Sequence, residues 1–477
     1  MHEKIRAGSL SRTRRILRAA AIESQTGVAA MNAGLKTHWE PQPAGAAWVS
    51  QIVEEYCSRN SVLRDFAGLL ATHTGTRLTD WIDHLEVCTA DGLPDAGFTL
   101  AADGWYEHSG ALLPPIRVSG RRILVLRVDS VSDFAVTCSH RFPIEVTGRA
   151  GDLLRTAWIA RSAEAEVHFG VIERIGCSIR HAAPALNAPE KQQLRELREQ
   201  LRLRPRQFDT HEAAFQSLSQ LLSSAIRTVG RDIVCDVFFA GERAFWQARN
   251  HAAQVQYMRQ AALGLGWGNH DHHTYRSSRV CFAPMIALFE QLGFTCRERF
   301  YPGHNAGWGA QVLEHPICPV VIFADVDLTA DELAGDFAHQ PLAPSRALGT
   351  IGLWCGLHGE ALFSAGMHHL ECQFSFAAAR QQLADLGVGS MKPFTDFPFL
   401  RQCFTEPERW PVHESRLQQL LSEGLISADQ AAAFRTTGAP GSHLEILERN
   451  DGYRGFNQTG ITEIIQRTDP RLVQTAH

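Results

Sequence analysis

Apolar residues recur at helical spacing near the start of the chain, at Trp48, Ile52, Tyr56 and Leu63, and predict helix over 46–75. From Leu78 to about Cys177 the pattern shortens. Brief apolar runs alternate with Gly and Pro turns, and Ile123-Leu124-Val125-Leu126 and Ile144-Glu145-Val146 read as strands. These stretches predict an N-terminal α+β domain over 41–182. Ala183, Pro184, Ala185 and Pro189 interrupt it and lead into the charged stretch Glu190–Arg206, a solvated helix or linker. Helical patterns over 210–228 and 242–264 follow, so 183–265 reads as a helical linker region.

Chain character changes again at Gly266, where an internal repeat begins. A His-bearing strand, His272-His273-Thr274-Tyr275-Arg276, precedes a helix that ends at Leu292-Gly293-Phe294, and then the strand Val320–Phe323. The second unit runs from His368-His369-Leu370-Glu371-Cys372-Gln373 through a helix ending at Leu386-Gly387-Val388 to Leu444-Glu445-Ile446-Leu447. In both units Gly falls where a left-handed helix cap is wanted. The spacing predicts two βαβββ units in series over 266–470.

Strand periodicity then selects the candidate chemistry. Residues i, i+2 and i+4 of a strand share a face, so His272, Thr274 and Arg276 go together, as do His369, Glu371 and Gln373. His443 shares a face with Glu445. Two imidazoles and one carboxylate with open positions form the ligand set of a mononuclear non-haem Fe(II) oxygenase. His272, His369 and Glu445 are therefore the expected metal ligands. His270, His273 and His368 are neighbours that compete for these roles, and the strand register is open by one residue.

Composition narrows the picture. The 477 residues are 44% hydrophobic and 20% charged, as expected of a globular chain with a sizeable core. A net charge of −5 gives no basic footprint for nucleic acid and no polybasic membrane patch. No run of eighteen apolar residues suggests a membrane span. The 11 cysteines form no CxxC pair, which argues against a zinc ribbon or disulfide framework and fits a reducing cytoplasm. Arg12, Arg14, Arg15 and Arg18 imitate a transit peptide, but residues 1–40 read more simply as a disordered tail, with Met31 as an alternative start.

The residues just described resemble a known family. His272-x-x-x-Arg276 looks like the metal-binding strand of the 2-oxoadipate dioxygenase/decarboxylase (hydroxyglutarate synthase) family. With Glu445-Ile446-Leu447-Glu448-Arg449 and the following Gly452-Tyr453-Arg454-Gly455-Phe456-Asn457, it is similar to the vicinal-oxygen-chelate dioxygenases more broadly, including hydroxyphenylpyruvate dioxygenases. The resemblance covers roughly residues 266–470. It implies an α+β fold of vicinal-oxygen-chelate-like paired βαβββ modules curling around one Fe(II), and a closing helix over Ile461–Gln466. The implied reaction decarboxylates a small 2-oxo acid with dioxygen and hydroxylates the same substrate, Arg276 fixing a substrate carboxylate. The family usually carries a second Arg four residues after its second His ligand, where this chain has Gln373. Gln373 would bind substrate through neutral hydrogen bonds only, so a substrate with fewer carboxylates than 2-oxoadipate, or one oriented differently, is expected. Asp83-His84 and Gly170-Val171-Ile172-Glu173-Arg174 echo the same module in the N-terminal domain, without a second iron.

Other readings compete. Gly268-Asn269-His270-Asp271 resembles a calcineurin-like metallophosphoesterase motif, with Asp209-Thr210-His211 as its upstream partner, but the remaining motifs are absent. The same fold could also serve a non-oxidative metalloenzyme, or a metal-free small-molecule binding protein. The loop Pro302–Gly309 lacks the Lys and Ser/Thr of a phosphate loop and reads as a turn or an active-site wall. Asp325 and Asp327 read as a solvated strand end, and His358 as part of a plain loop. Phe374, Trp354 and Phe456 are candidates for excluding water.

Overall fold

The computed structural model describes residues 39–471, apart from 160–165, 181–182, 303–305, 346 and 458–467. Of the expected N-terminal tail, 1–40, only Trp39 and Glu40 are described, and Trp39 is buried and donates to Glu298 Oε2 at 2.8 Å, so the tail ends before it. The expected closing helix at Ile461–Gln466 lies outside the described residues.

Two eight-stranded sheets share one topology. The first has strands β1 (Ile82–Val87), β2 (Thr99–Leu100), β3 (Trp105–Glu107), β4 (Ile116–Val118), β5 (Ile123–Arg127), β6 (Ile144–Thr147), β7 (Leu154–Ile159) and β8 (His168–Arg174), ordered β2-β3-β4-β1-β5-β8-β7-β6. The second has β9 (His270–Ser277), β10 (Thr295–Phe300), β11 (Gly309–Glu314), β12 (Val321–Val326), β13 (His369–Gln373), β14 (Thr395–Phe397) and β15 (Leu400–Phe404). After the short ribbon β16 (Arg409–Trp410) and β17 (Ala439–Pro440) it is completed by β18 (His443–Arg449). Its order is β10-β11-β12-β9-β13-β18-β15-β14. Each sheet is therefore a pair of four-stranded units joined antiparallel through their first strands, β1 with β5 and β9 with β13. The fold is α+β, built of paired βαβββ modules. In the first unit turns replace the helix; helices Val131–Cys138, Phe282–Gln291 and Phe376–Asp385 serve the others. Gly293 and Gly387 end the last two with φ of 104° and 81°, the left-handed conformation the sequence predicts there.

Four helices lie between the sheets in sequence: Ala188–Arg202, His211–Val229, Arg231–Gln247 and His251–Ala261. The second of the expected helical stretches, 242–264, is two helices interrupted at Asn250, whose side chain caps the latter. Helix Arg231–Gln247 extends well upstream of it. Its run Ile233–Phe239 is buried throughout, so no amphipathic stripe marks it. The helix expected over 46–75 is likewise two, Pro43–Arg59 and Ser61–Thr74, because Asn60 caps the second through Leu63 N–H.

The two halves pack closely. A Cβ at Gly264 would lie 2.4 Å from the Phe134 backbone, and one at Gly268 2.4 Å from the Arg127 carbonyl oxygen. The N-terminal half also grips the segment after β18: Arg77 donates to Asn450 Oδ1 at 2.6 Å and to the Arg449 carbonyl at 3.1 Å, and Leu112 N–H donates to the Gly452 carbonyl.

Candidate metal centre

Strand register brings the candidate ligands together. His272 on β9 lies directly opposite Glu371 on β13, and Glu371 lies beside Glu445 on β18. His369 is two residues before Glu371, so it points to the same face. His272 Nε2 is 2.8 Å and His369 Nε2 2.6 Å from Glu371 Oε1, and His369 Nε2 is 3.5 Å from Glu445 Oε2. His272, Glu371 and Glu445 each place one donor atom within 4.8 Å of the others. All four side chains are buried.

Outer partners orient these donors. Asp271 Oδ1 accepts from His272 Nδ1 at 2.9 Å, which turns Nε2 toward the centre. Asp271 is gripped by the Arg449 guanidinium at 2.8 and 2.9 Å. Burial alone would raise the Asp271 carboxyl, but Arg449 outweighs it and holds Asp271 well below the usual carboxylate range. His369 Nδ1 contacts His368 Nδ1 at 2.7 Å and His443 Nε2 at 3.1 Å, and Gln402 donates to Glu445 Oε1 at 2.8 Å. Thr274 Oγ1 donates to Glu371 Oε1 at 2.8 Å.

The electrostatics suit a cation. Burial pushes His272 down to about 4 and His369 well below the usual imidazole range, so both are neutral donors at physiological pH. Burial raises Glu445 to about 7, and burial together with Glu445 raises Glu371 well above the carboxylate range. Glu371 Oε2 is buried without a hydrogen-bond partner. Two carboxyl groups and two neutral imidazoles pressed together in a dry site are the donor set a divalent cation would stabilise.

His273 and His270 separate from the centre, whereas His368 groups with His369 and His443, their donor atoms within 4.8 Å of one another. His273 points to the opposite face, against Phe239, with Arg243 3.2 Å from its Nε2. His270 is held by the carbonyls of Trp267 and Pro319. His368 packs on Trp354 behind His369. Gly268–Asp271 also divides: Asn269 holds the Gln373 carbonyl, His270 the backbone, and Asp271 Arg449. These side chains do not converge on one point.

Arg276 lies on the same face of β9 as His272 and Thr274. Its guanidinium is 1% exposed, and all three of its nitrogens lack a hydrogen-bond partner. The nearest carboxylate oxygen, Asp325 Oδ2, is 3.8 Å from Nε. Burial raises Asp325 to about 8 despite Arg276, and its Oδ1 is also unpartnered. Gln373 stands elsewhere: its amide donates to Asp271 Oδ2 at 3.0 Å, behind His272 and away from the cavity wall. The expected solvated strand end is a correction. Asp325 and Asp327 are 2% and 7% exposed, and Asp327 accepts from Gly349, Ile351 and Gly352 N–H, capping helix Thr350–His358. His358, expected in a plain loop, ends that helix and donates through Nε2 to the Pro440 carbonyl at 2.9 Å.

A cavity of about 40 Å³ faces the centre, walled by Phe300, Trp308, Phe323, Phe394, Phe404 and Phe456. Phe456 fulfils the expected position on the wall; Phe374 and Trp354 belong to the core beneath the sheet. Glu371, Gln402 and Asp325 were not singled out as site residues by the sequence. For Glu371 the signal was present, since it shares a strand face with His369.

The first sheet repeats this geometry with other residues. Asp83-His84 matches Asp271-His272, and the Asp83–Arg174 ion pair matches Asp271–Arg449. His84 lies opposite Val125, which lies beside Gly170, and Ile123 lies beside His168. Ile123, Val125 and Gly170 thus occupy the places of His369, Glu371 and Glu445.

No family model and no curated protein matches the chain. Solved structures do resemble it. A glyoxalase superfamily protein from Ralstonia eutropha JMP134 is 14% identical, covering 57% of this chain and 99% of that one, with a TM-score of 0.32. A mutant 4-hydroxymandelate synthase from Streptomyces coelicolor is 14% identical, covering 71% and 96%, with a TM-score of 0.30. The 2,3-dioxygenase LapB from Pseudomonas sp. KL28 is 9% identical, covering 79% and 94%, with a TM-score of 0.19. Likeness at this level carries nothing about chemistry, and the fold stands on the strand order and register described above.

Proposed function

We propose that the chain is a mononuclear non-haem Fe(II) dioxygenase that decarboxylates and hydroxylates a small 2-oxo acid. The observation that supports this most is the arrangement of His272 and His369 around Glu371 Oε1, with Glu445 Oε2 3.5 Å from His369 Nε2, on the sheet face that also carries the buried Arg276 guanidinium, whose nitrogens have no hydrogen-bond partner. His272, His369 and Glu445 would hold the iron, which supplies redox chemistry and open positions for a chelating 2-oxo acid and for dioxygen.

The protein's own groups do the rest. Asp271, His443 and Gln402 fix the orientation of the donors. Arg276 offers a buried cation to a substrate carboxylate, a pairing stronger than a neutral hydrogen bond. Asp325, which lines the cavity in front of Arg276 and is raised to about 8 by its burial, offers an O–H donor. The aromatic rings exclude water. A 40 Å³ cavity holds little more than one water, so a 2-oxo acid enters when an aromatic wall shifts. Gln373, engaged with Asp271, supports His272, and substrate charge falls to Arg276 alone.

Glu371 favours a second reading. If it joined His272, His369 and Glu445 as a fourth protein donor, a six-coordinate metal would keep two positions, which a chelating substrate fills without room for dioxygen. The protein would then be a non-oxidative metalloenzyme of the same fold. Oxygen uptake by anaerobically iron-loaded protein with a panel of monocarboxylic and dicarboxylic 2-oxo acids separates the two. Uptake coupled to CO2 release supports the dioxygenase; bound iron without uptake for any 2-oxo acid rejects it.

A further inference from the structure

A second cavity, about 670 Å³, shares no lining residue with the metal-facing one. Its wall is formed around the turn Leu362–Ala365, on which four arginines converge. Arg204 donates to the Leu362 carbonyl, and Arg206 to the Phe363 carbonyl at 3.4 Å. Arg249 donates to the Ser364 carbonyl at 2.9 Å and to that of Ala365, and Arg416 to Ser364 Oγ at 3.2 Å. One carboxylate, Glu242, ion-pairs with Arg204 and Arg206. Among the described residues no carboxylate lies within ion-pair distance of Arg249 or Arg416.

These two guanidiniums are held rather than loose. Arg249 lies over Trp410 at 4.1 Å and over Phe245 at 5.1 Å, and Phe245 carries Arg206 on its ring at 3.7 Å. Burial depresses both Arg249 and Arg416, and Arg206 depresses Arg249 further. The acids nearby are committed or remote. Glu360, also on the lining, accepts from Ser277 Oγ and Ser278 N–H, each at 3.1 Å, and raises Arg416 only in part against burial, while Asp209 and Glu212 are exposed on the lining. Carbonyl dipoles, with Glu360 acting on Arg416 from a distance, leave both half-buried cations depressed by burial where their guanidiniums meet at one serine. An oxyanion would neutralise them, because its geometry matches the guanidinium fork.

We infer that this cavity is a second, metal-independent binding site for a small molecule bearing an oxyanion, a phosphate or a carboxylate, gripped by Arg249 and Arg416. Its wall leads inward through His358 to Trp354, which packs on His368 and lies 5.7 Å from the Arg276 guanidinium.

Calorimetric titration of the full-length protein with inorganic phosphate, pyrophosphate and succinate tests this, with intrinsic tryptophan fluorescence as a second readout. One saturable site per chain is expected for at least one probe, and the probe that binds separates phosphate from carboxylate recognition. Arg249→Gln and Arg416→Gln should each weaken it at least tenfold, and His272→Ala should leave it unchanged. Arg416→Gln does not touch the Trp410 stack, so it reports even where Arg249→Gln fails to fold. No saturable binding of any probe, binding that survives Arg416→Gln, or binding lost with His272→Ala would each overturn the inference.

Discussion

Glu371 Oε1 lies within hydrogen-bond distance of both imidazoles, so its replacement is the most informative single change near the metal centre. With His272, His369 and Glu445 as ligands, Glu371→Gln should still bind one iron per chain, with affinity weakened about 10- to 100-fold, the usual effect of losing an outer partner. Loss of stoichiometric iron, as deep as in Glu445→Ala, would make Glu371 a ligand and favour the non-oxidative reading. Arg276→Gln should keep its iron and raise KM for the 2-oxo acid about tenfold or more, since a charged hydrogen bond contributes about 1.5–3 kcal/mol. Unchanged steady-state kinetics would remove Arg276 from the substrate site. At this scale much of the candidate site was legible, because strand periodicity alone puts His369 and Glu371 on one face. What periodicity does not carry is partnership across strands. The Arg449–Asp271–His272 relay and the Gln402–Glu445 bond depend on register between segments distant in sequence. Gln373 shows the same limit, since its amide is drawn to Asp271.

Elements that position the site depend on caps with no simple sequence pattern. Asp327 lies 22 or more residues before the helix it caps, yet three backbone N–H groups of Gly349–Gly352 donate to it. Asp327→Ala should lower stability by about 2 kcal/mol, read as a shift in denaturant midpoint, because those donors lose a buried acceptor. A midpoint unchanged within error would show that water replaces it. The same non-locality explains which elements escaped the sequence reading. The extension of helix Arg231–Gln247 into Ile233–Phe239 is buried all round, so it lacks the polar face that marks a surface helix. The break at Asn60 was invisible because apolar spacing continues across it. By contrast, Gly293 and Gly387 were readable, since a left-handed cap requires the residue type found there.

Across the whole molecule, the repeat recognised over 266–470 is half of a larger one. The N-terminal sheet has the same strand order, and its Asp83–Arg174 pair survives at the place of Asp271–Arg449. Ile123, Val125 and Gly170 replace three of the four donors there, and a Cβ on Gly170 would meet the Trp158 ring at 2.8 Å. The N-terminal half instead steadies the segment that follows β18 and ends in the cavity residues Phe456 and Asn457. Arg77→Ala, which frees Asn450 and the Arg449 carbonyl, should therefore raise KM while leaving iron stoichiometry intact. Unaltered kinetics would deny the N-terminal half that role.

The central claim is that His272, His369 and Glu445 together hold one iron. Anaerobic titration of the metal-free protein with Fe(II), followed by metal analysis after desalting, tests it most directly. One iron per chain is expected in the unmodified protein, and none at stoichiometric level in His272→Ala, His369→Ala or Glu445→Ala, each checked to be folded. Full occupancy in any of the three folded variants, or no retained iron in the unmodified protein, would contradict the assignment.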